Sequence, residues 1–253
     1  MAIRSLPNLP AHIHYAVESA LDFDDTVIHD HLSLYILGAT SPDIRVITKK
    51  DRSMYHFVTL DFEEVGDGLR NLLRSRRVSM NSSGLSAPSR AFMAGYVTHL
   101  MLDETWITSM FRPYFSTAGV FCDQNEGLIM DRALQLELDR RFWGSVNPYL
   151  DSISSCEIDI DIEFLQLEPM DQWRDWVVTS LGRNFSWERL RFMAKRISRG
   201  VPNHPVHRLA NKFVMDPNLA LQELFEQLPQ GVMEEFSDRS HLNIKLGLER
   251  FLK

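Results

Sequence analysis

Cysteine is scarce in this chain. Only Cys122 and Cys156 occur among 253 residues, and neither belongs to a CxxC pair. That excludes a disulfide framework and thiolate zinc sites, and it fits a reducing compartment, so the expected location is cytoplasmic. Long apolar runs are missing as well. Arg, Asp, Glu or Lys breaks every candidate window before the roughly 18 consecutive apolar residues of a spanning helix are reached, so no transmembrane segment is expected. Basic residues do not predominate: 27 Lys and Arg stand against 34 Asp and Glu, a net charge of -7. This balance disfavours a nucleic-acid partner and electrostatic attachment to an anionic bilayer. Prolines at 7 and 10 interrupt the N-terminal stretch where an export signal needs an unbroken apolar core, so that stretch is expected to be unprocessed. No repeat or low-complexity tract stands out.

What is present is enough apolar side chain, 44% of the residues, to build a sizeable core. The expected architecture is one all-α domain over 1–253, with a metal-site half at about 5–115 and a helical C-terminal half at about 116–253 that walls the site. Pro10 opens a helix over 11–21, with His12 in its first turn. A second helix is expected over 29–37, ending at Gly38, and Ser41 before Pro42 turns the chain so that Asp43 sits on a loop. Residues 44–59 read as a short strand or an irregular segment carrying His56, and 60–74 as a helix. Residues 78–88, rich in Ser, Asn and Gly, form a loop. Apolar helix 89–111 follows, with Pro113 beyond its end, and then amphipathic helix 125–143. The alternation Glu157-Ile-Asp-Ile-Asp-Ile162 suggests a strand or a turn. Helices near 170–181, 187–199, 218–228 and 233–252 complete the chain.

The chemistry concentrates in the apolar helix, where His99 and Asp103 lie four residues apart and therefore project from one face. One such pair alone is more often a satisfied core histidine beside a polar helix end. Three other segments add ligand types: His12, Asp43 and His56. Imidazole with carboxylate suits zinc, with iron or manganese as weaker candidates. His14, His29, His31, His204 and His207 are competing histidines, so single residues do not decide.

The ordered set does more. Pro10-Ala-His12-Ile-His14-Tyr-Ala16, Leu37-Gly38-Ala-Thr-Ser-Pro42-Asp43-Ile44, Tyr55-His56, and Ala91-Phe-Met-Ala-Gly95-Tyr96-Val-Thr-His99-Leu-Met-Leu-Asp103 together resemble the zinc-dependent phospholipase C family. The likeness covers roughly residues 5–110. It implies an all-α, multi-helix phospholipase C/P1 nuclease-like bundle that hydrolyses phosphoester bonds in phospholipids at clustered zinc ions. Carried over, it implies a zinc site of Asp43, His56, His99 and Asp103, with His12 shared toward a neighbouring metal and His14 the alternative at that place. Asp43 is then also the catalytic general base.

Two departures from the family bear on the metal count. Secreted members use a processed N-terminal amine as a ligand, and they carry further histidines after the His-x-x-x-Asp helix. Here no histidine lies between His99 and His204, and Trp106 stands where one is expected. Asp131 with Gln135, or Glu104, are substitute oxygen ligands, although Asp131 in an amphipathic helix is more often solvated than bound. One or two zinc ions are expected rather than three.

The expected function is zinc-dependent hydrolysis of a phosphoester in a lipid or a small soluble molecule. Tyr55, Phe57, Trp106, Phe111, Tyr114 and Phe115 are candidates for an apolar groove, though most of them are expected to be core residues. The alternative is a non-catalytic protein of the same fold with a structural metal and a protein-binding role.

Overall fold

The computed structural model describes residues 9–75, 84–121 and 123–253, and all regular structure among them is helical. In chain order the helices are α1 (Leu9–Asp22), α2 (Thr26–Asp30), α3 (Leu32–Thr40), α4 (Arg45–Thr48), α5 (Ser53–His56), α6 (Asp67–Arg74), α7 (Ala87–Trp106), α8 (Gln124–Val146), α9 (Leu150–Ser155), α10 (Leu167–Leu181), α11 (Glu188–Ile197), α12 (Pro205–Met215), α13 (Pro217–Glu226) and α14 (Val232–Leu252). No helix among the described residues is long and apolar enough to cross a membrane. Residues 78–83 of the expected loop, the N-terminal prolyl segment before Leu9, and Cys122 lie outside the described residues.

α7 is the central element. Seventeen of its twenty residues, Ser89 and Ala91 through Trp106, are buried, so it is apolar all round in the manner of a helix with neighbours on every side. α3 and α14 pack along it, and α1 bridges α3 and α8. Two glycines set the α3–α7 distance. A Cβ on Gly38 would collide with the Phe92 carbonyl, and one on Gly95 with the Tyr35 carbonyl. The backbones therefore approach more closely than any other residue type permits. This explains why Gly38, expected to end a helix, lies inside α3: its function is close packing, and the helix continues to Thr40.

Capping fixes the entries. Asp25 accepts from the amides of Val27 and Ile28 at the start of α2, and Arg90 of α7 reaches its other oxygen at 3.1 Å. Ser86 caps α7. Beyond Trp106 the chain keeps coiling as a π-helix, Ile107–Phe115, which contains Pro113. The wider winding accommodates the ring and its missing amide, so the proline does not stop the helix as the sequence suggests.

Residues 41–57 depart most from expectation. There is no strand. A 3₁₀ turn, Ser41–Ile44, carries Asp43, and α4 and α5 are single turns that end at Lys49 and Phe57, both left-handed with φ of 58° and 59°. Each reversal folds the segment back on α7. The helix expected over 60–74 begins only at Asp67, after Gly66 at φ 94°, because the Asp67 carboxylate accepts from the amides of Glu63 and Glu64 and turns the preceding chain. The isoleucine alternation at 157–162 is real in burial, with Ile160 and Ile162 in the core and Asp159 and Asp161 exposed. No second strand pairs with it; the Asp161 amide donates instead to Ser89 Oγ at 2.9 Å. α12, which the Pro-Asn-His-Pro punctuation concealed, starts at Pro205 with His204 as its N-cap.

Candidate metal centre

Five side chains that the sequence singles out converge against the middle of α7. His99 and Asp103 rise from α7, His12 comes from the first turn of α1, Asp43 from the 3₁₀ turn after α3, and His56 from the last residue of α5. Their ligand atoms form two overlapping groups, His12/His99/Asp103 and Asp43/His56/His99, with the atoms of each group within 4.8 Å of one another. His99 belongs to both. The Nε2 atoms of His56 and His99 lie 3.3 Å apart, Asp103 Oδ2 is 3.1 Å from His56 Nε2 and 3.4 Å from His99 Nε2, and Asp103 Oδ1 is 3.4 Å from His12 Nε2. Asp43 Oδ1 sits 3.9 Å from His56 Nε2.

Orientation is fixed from outside the cluster. His99 Nδ1 donates to the Ala39 carbonyl at 2.8 Å, leaving Nε2 to face the cluster. Such a carbonyl partner is the usual way of fixing the ring of a ligating histidine. The His12 ring stacks on that of His99, centroids 3.7 Å apart and nearly parallel. His14 points elsewhere: it stacks on Phe142 and pairs with Glu18 at 3.4 Å. Of the two histidines in the first turn of α1, the structure therefore brings His12, not His14, to the site.

Burial shapes the electrostatics. It holds the His12 imidazole below its ordinary value, as does the neighbouring His99 ring. Burial also pushes His56 well below its ordinary value, reinforced by the positive charge of Arg52. Both rings are thus neutral, the form that binds metal. Burial opposes protonation of His99 too, but the Asp103 carboxylate outweighs it and raises that ring. For Asp103 the sign is reversed: desolvation is overcome by His99 and the contacts to His12 and His56, which hold the carboxyl well below the usual range. Ligation requires the neutral ring, so a divalent cation competes with protonation of His99.

The donor set fits such a cation. Both ring nitrogens of His12, Nδ1 of His56 and Oδ1 of Asp103 are buried without a hydrogen bond. Buried polar atoms are normally paired, so this concentration of orphans calls for an occupant. Three imidazoles and two carboxylates suit zinc.

The substitute ligands are committed elsewhere. Asp131, expected to be solvated in an amphipathic helix, is fully buried and accepts from Trp106 Nε1 at 3.0 Å and from Gln135 Nε2 at 2.8 Å. Glu104 accepts from the amides of Gly66 at 2.5 Å and Gly68 at 2.8 Å, holding the start of α6 against α7. Burial raises its carboxyl to about 7. Three of the six aromatics take the core places expected of most of them. Tyr55, Trp106 and Phe115 are core residues at 3%, 0% and 0% exposure. A cavity of about 510 Å³ does open at Phe57 and Phe62, but Asp61, Glu63 and Asp67 line it as well, and their charge repels a phosphate.

The residue that sequence reasoning missed is Arg52. Its Nη2 donates to Asp103 Oδ2 at 3.1 Å from a position only 3% exposed. A signal existed, because Arg52 and His56 are four residues apart and Arg52 has helical φ and ψ of -56° and -44°. Without recognition of α5 that spacing had no meaning.

The fold and site thus define an all-α protein with a buried His/Asp cluster able to hold a metal. No family model matches the chain, and no curated protein and no solved structure matches it.

Proposed function

We propose that this protein is a metal-dependent hydrolase of phosphoester bonds, of the zinc-dependent phospholipase C type and its phospholipase C/P1 nuclease-like bundle, holding one or two zinc ions. The observation that carries the proposal is the pair of overlapping ligand groups that share His99, the ligand atoms of each within 4.8 Å of one another, with buried His12 Nε2 and Asp103 Oδ1 lacking a hydrogen bond. Asp43, His56, His99 and Asp103 would hold one ion, and His12 with the second Asp103 oxygen would border another.

A divalent ion bound there supplies Lewis acidity, lowering the pKa of water and offsetting charge that develops on phosphorus. The protein side chains do the rest. Asp43 is the only one of the five that is not fully buried, its side chain 21% exposed, so it borders the path by which water and substrate arrive. In this reading Asp43 takes the proton from the attacking water as general base. Asp103 is held by Arg52, and His99 by Ala39, so both keep their aim without substrate. With four of the five ligand side chains buried, a small soluble phosphoester suits the site better than a bilayer lipid.

One observation favours a second reading, a non-catalytic protein with a structural metal. Closed coordination by buried ligands marks structural sites, and His12, His56, His99 and Asp103 are all buried. Turnover separates the two readings. Metal-depleted protein is reconstituted with zinc and assayed on bis-p-nitrophenyl phosphate and p-nitrophenyl phosphate, for wild type and Asp43→Asn. The hydrolase reading expects zinc-dependent release of nitrophenol that falls at least about 100-fold in the variant, in line with loss of a general base. Zinc-loaded wild type inert on both esters supports the structural reading.

A further inference from the structure

Arg52 makes one hydrogen bond with one of its three nitrogens. Nη2 is engaged by Asp103, while Nε and Nη1 are buried and have no hydrogen-bond partner. A guanidinium offers five donors in a rigid fork and does not deprotonate, so a buried one with idle N–H groups is costly unless something accepts from it. The head group lies at the cluster itself: Nη2 is 3.1 Å from the same Asp103 oxygen that approaches His56 and His99. Its charge is also felt by His56.

Charge counting gives the sign of the missing partner. With the three imidazoles neutral, as metal ligation requires, and Glu104, raised to about 7 by burial, counted as protonated, Asp43 and Asp103 contribute two negative charges and Arg52 one positive, which leaves a single negative charge. Nearby Arg132 is offset by Asp131, 3.9 Å away. One divalent cation turns the balance to a single positive charge, which a monoanionic ligand cancels; a second divalent cation would leave three positive charges in a buried space. The arrangement favours one metal plus one anion over two metals, with Arg52 as the second positive centre.

We propose that Arg52 is the oxyanion-binding residue of this site, donating to non-bridging oxygens of a phosphoryl group from its unpartnered Nε–H and Nη1–H edges while Nη2 holds Asp103. The proposal rests on the metal-site reading above and deepens it by naming the anion and its second cationic partner. A planar fork matches phosphoryl oxygens in a way that a lysine cannot. Asp103 then links the two centres: one carboxylate is shared by the metal ligands and the anion clamp.

The test is a titration of inorganic phosphate, and in parallel dimethyl phosphate, into zinc-loaded protein freed of excess zinc. Calorimetry is run on wild type, Arg52→Gln and Arg52→Lys, with metal content measured on each sample. Phosphate affinity is expected to fall at least tenfold in both variants while they retain their zinc; affinity within twofold of wild type would overturn the proposal. Should the variants lose zinc or unfold, the wild-type Arg52 Nε–H resonance, assigned by through-bond correlation along the Arg52 side chain, decides. It shifts on addition of phosphate if Arg52 binds the anion, and its staying fixed at saturation would overturn the proposal. Wild type that takes up no zinc defeats the hydrolase reading instead, and the same resonance followed in that metal-free protein tests Arg52 separately.

Discussion

Arg52 Nη2 and Asp103 Oδ2 lie 3.1 Å apart in the interior, one side chain from the turn that starts α5 and the other from the centre of α7. This ion pair couples the candidate metal centre to the segment that delivers His56. Removing one partner strands the other charge, which is costlier than removing both.

In metal-free protein, Asp103→Asn is therefore expected to lower unfolding free energy by about 3–5 kcal/mol, the cost of breaking a buried pair. The double variant Asp103→Asn/Arg52→Met is expected to recover part of that loss. Urea denaturation of the four members of the cycle measures it, and additive losses would contradict a coupled pair.

Close packing of α3 on α7 gives the second expectation. Alanine in place of Gly38 gains about 1 kcal/mol of helix propensity, but its methyl meets the Phe92 carbonyl, which is backbone and cannot step aside. Overpacking of this kind costs about 1–3 kcal/mol or more. Gly38→Ala and Gly95→Ala should both be net destabilised in thermal melts, and either one matching wild type would refute the steric account.

The third concerns the two neighbouring histidines of α1. His12→Ala is expected to lower zinc affinity by more than about 100-fold, since loss of even an outer partner of a metal ligand costs 10–100-fold. His14→Ala, which removes a ring stacked on Phe142, should leave affinity unchanged within about threefold. Competition with a fluorescent zinc chelator reads both, and equal effects would show that the assignment of His12 over His14 fails.

Much of this was legible beforehand because helix spacing is rigid. His99 and Asp103 had to share a face, and Pro10, Pro42 and the long apolar run marked where His12, Asp43 and α7 belong. The segment 44–59 was not legible, since single helical turns ended by left-handed Lys49 and Phe57 leave no periodicity to read. Arg52 was hidden with it. Gly38 misled for a different reason: glycine serves both as a helix stop and as a contact point, and only the partner helix distinguishes the two. Asp131 looked solvated because its own helix is amphipathic, whereas the indole that satisfies it lies 25 residues away in sequence.

That indole supplies the fourth expectation. Asp131→Asn weakens a buried, charge-assisted hydrogen bond to Trp106 and is expected to cost about 1–3 kcal/mol of stability. Its zinc content should match wild type, because Asp131 stands in neither ligand group. Loss of zinc from a folded Asp131→Asn protein would place that carboxylate in the metal site.

The central claim is that the cluster around His99 binds metal, and metal content by plasma mass spectrometry tests it most directly, on protein purified without an affinity metal. Wild type is expected to carry at least one zinc per chain and His99→Ala, still folded by circular dichroism, to carry none. Wild type that is metal-free and stays so after dialysis against zinc would contradict the account.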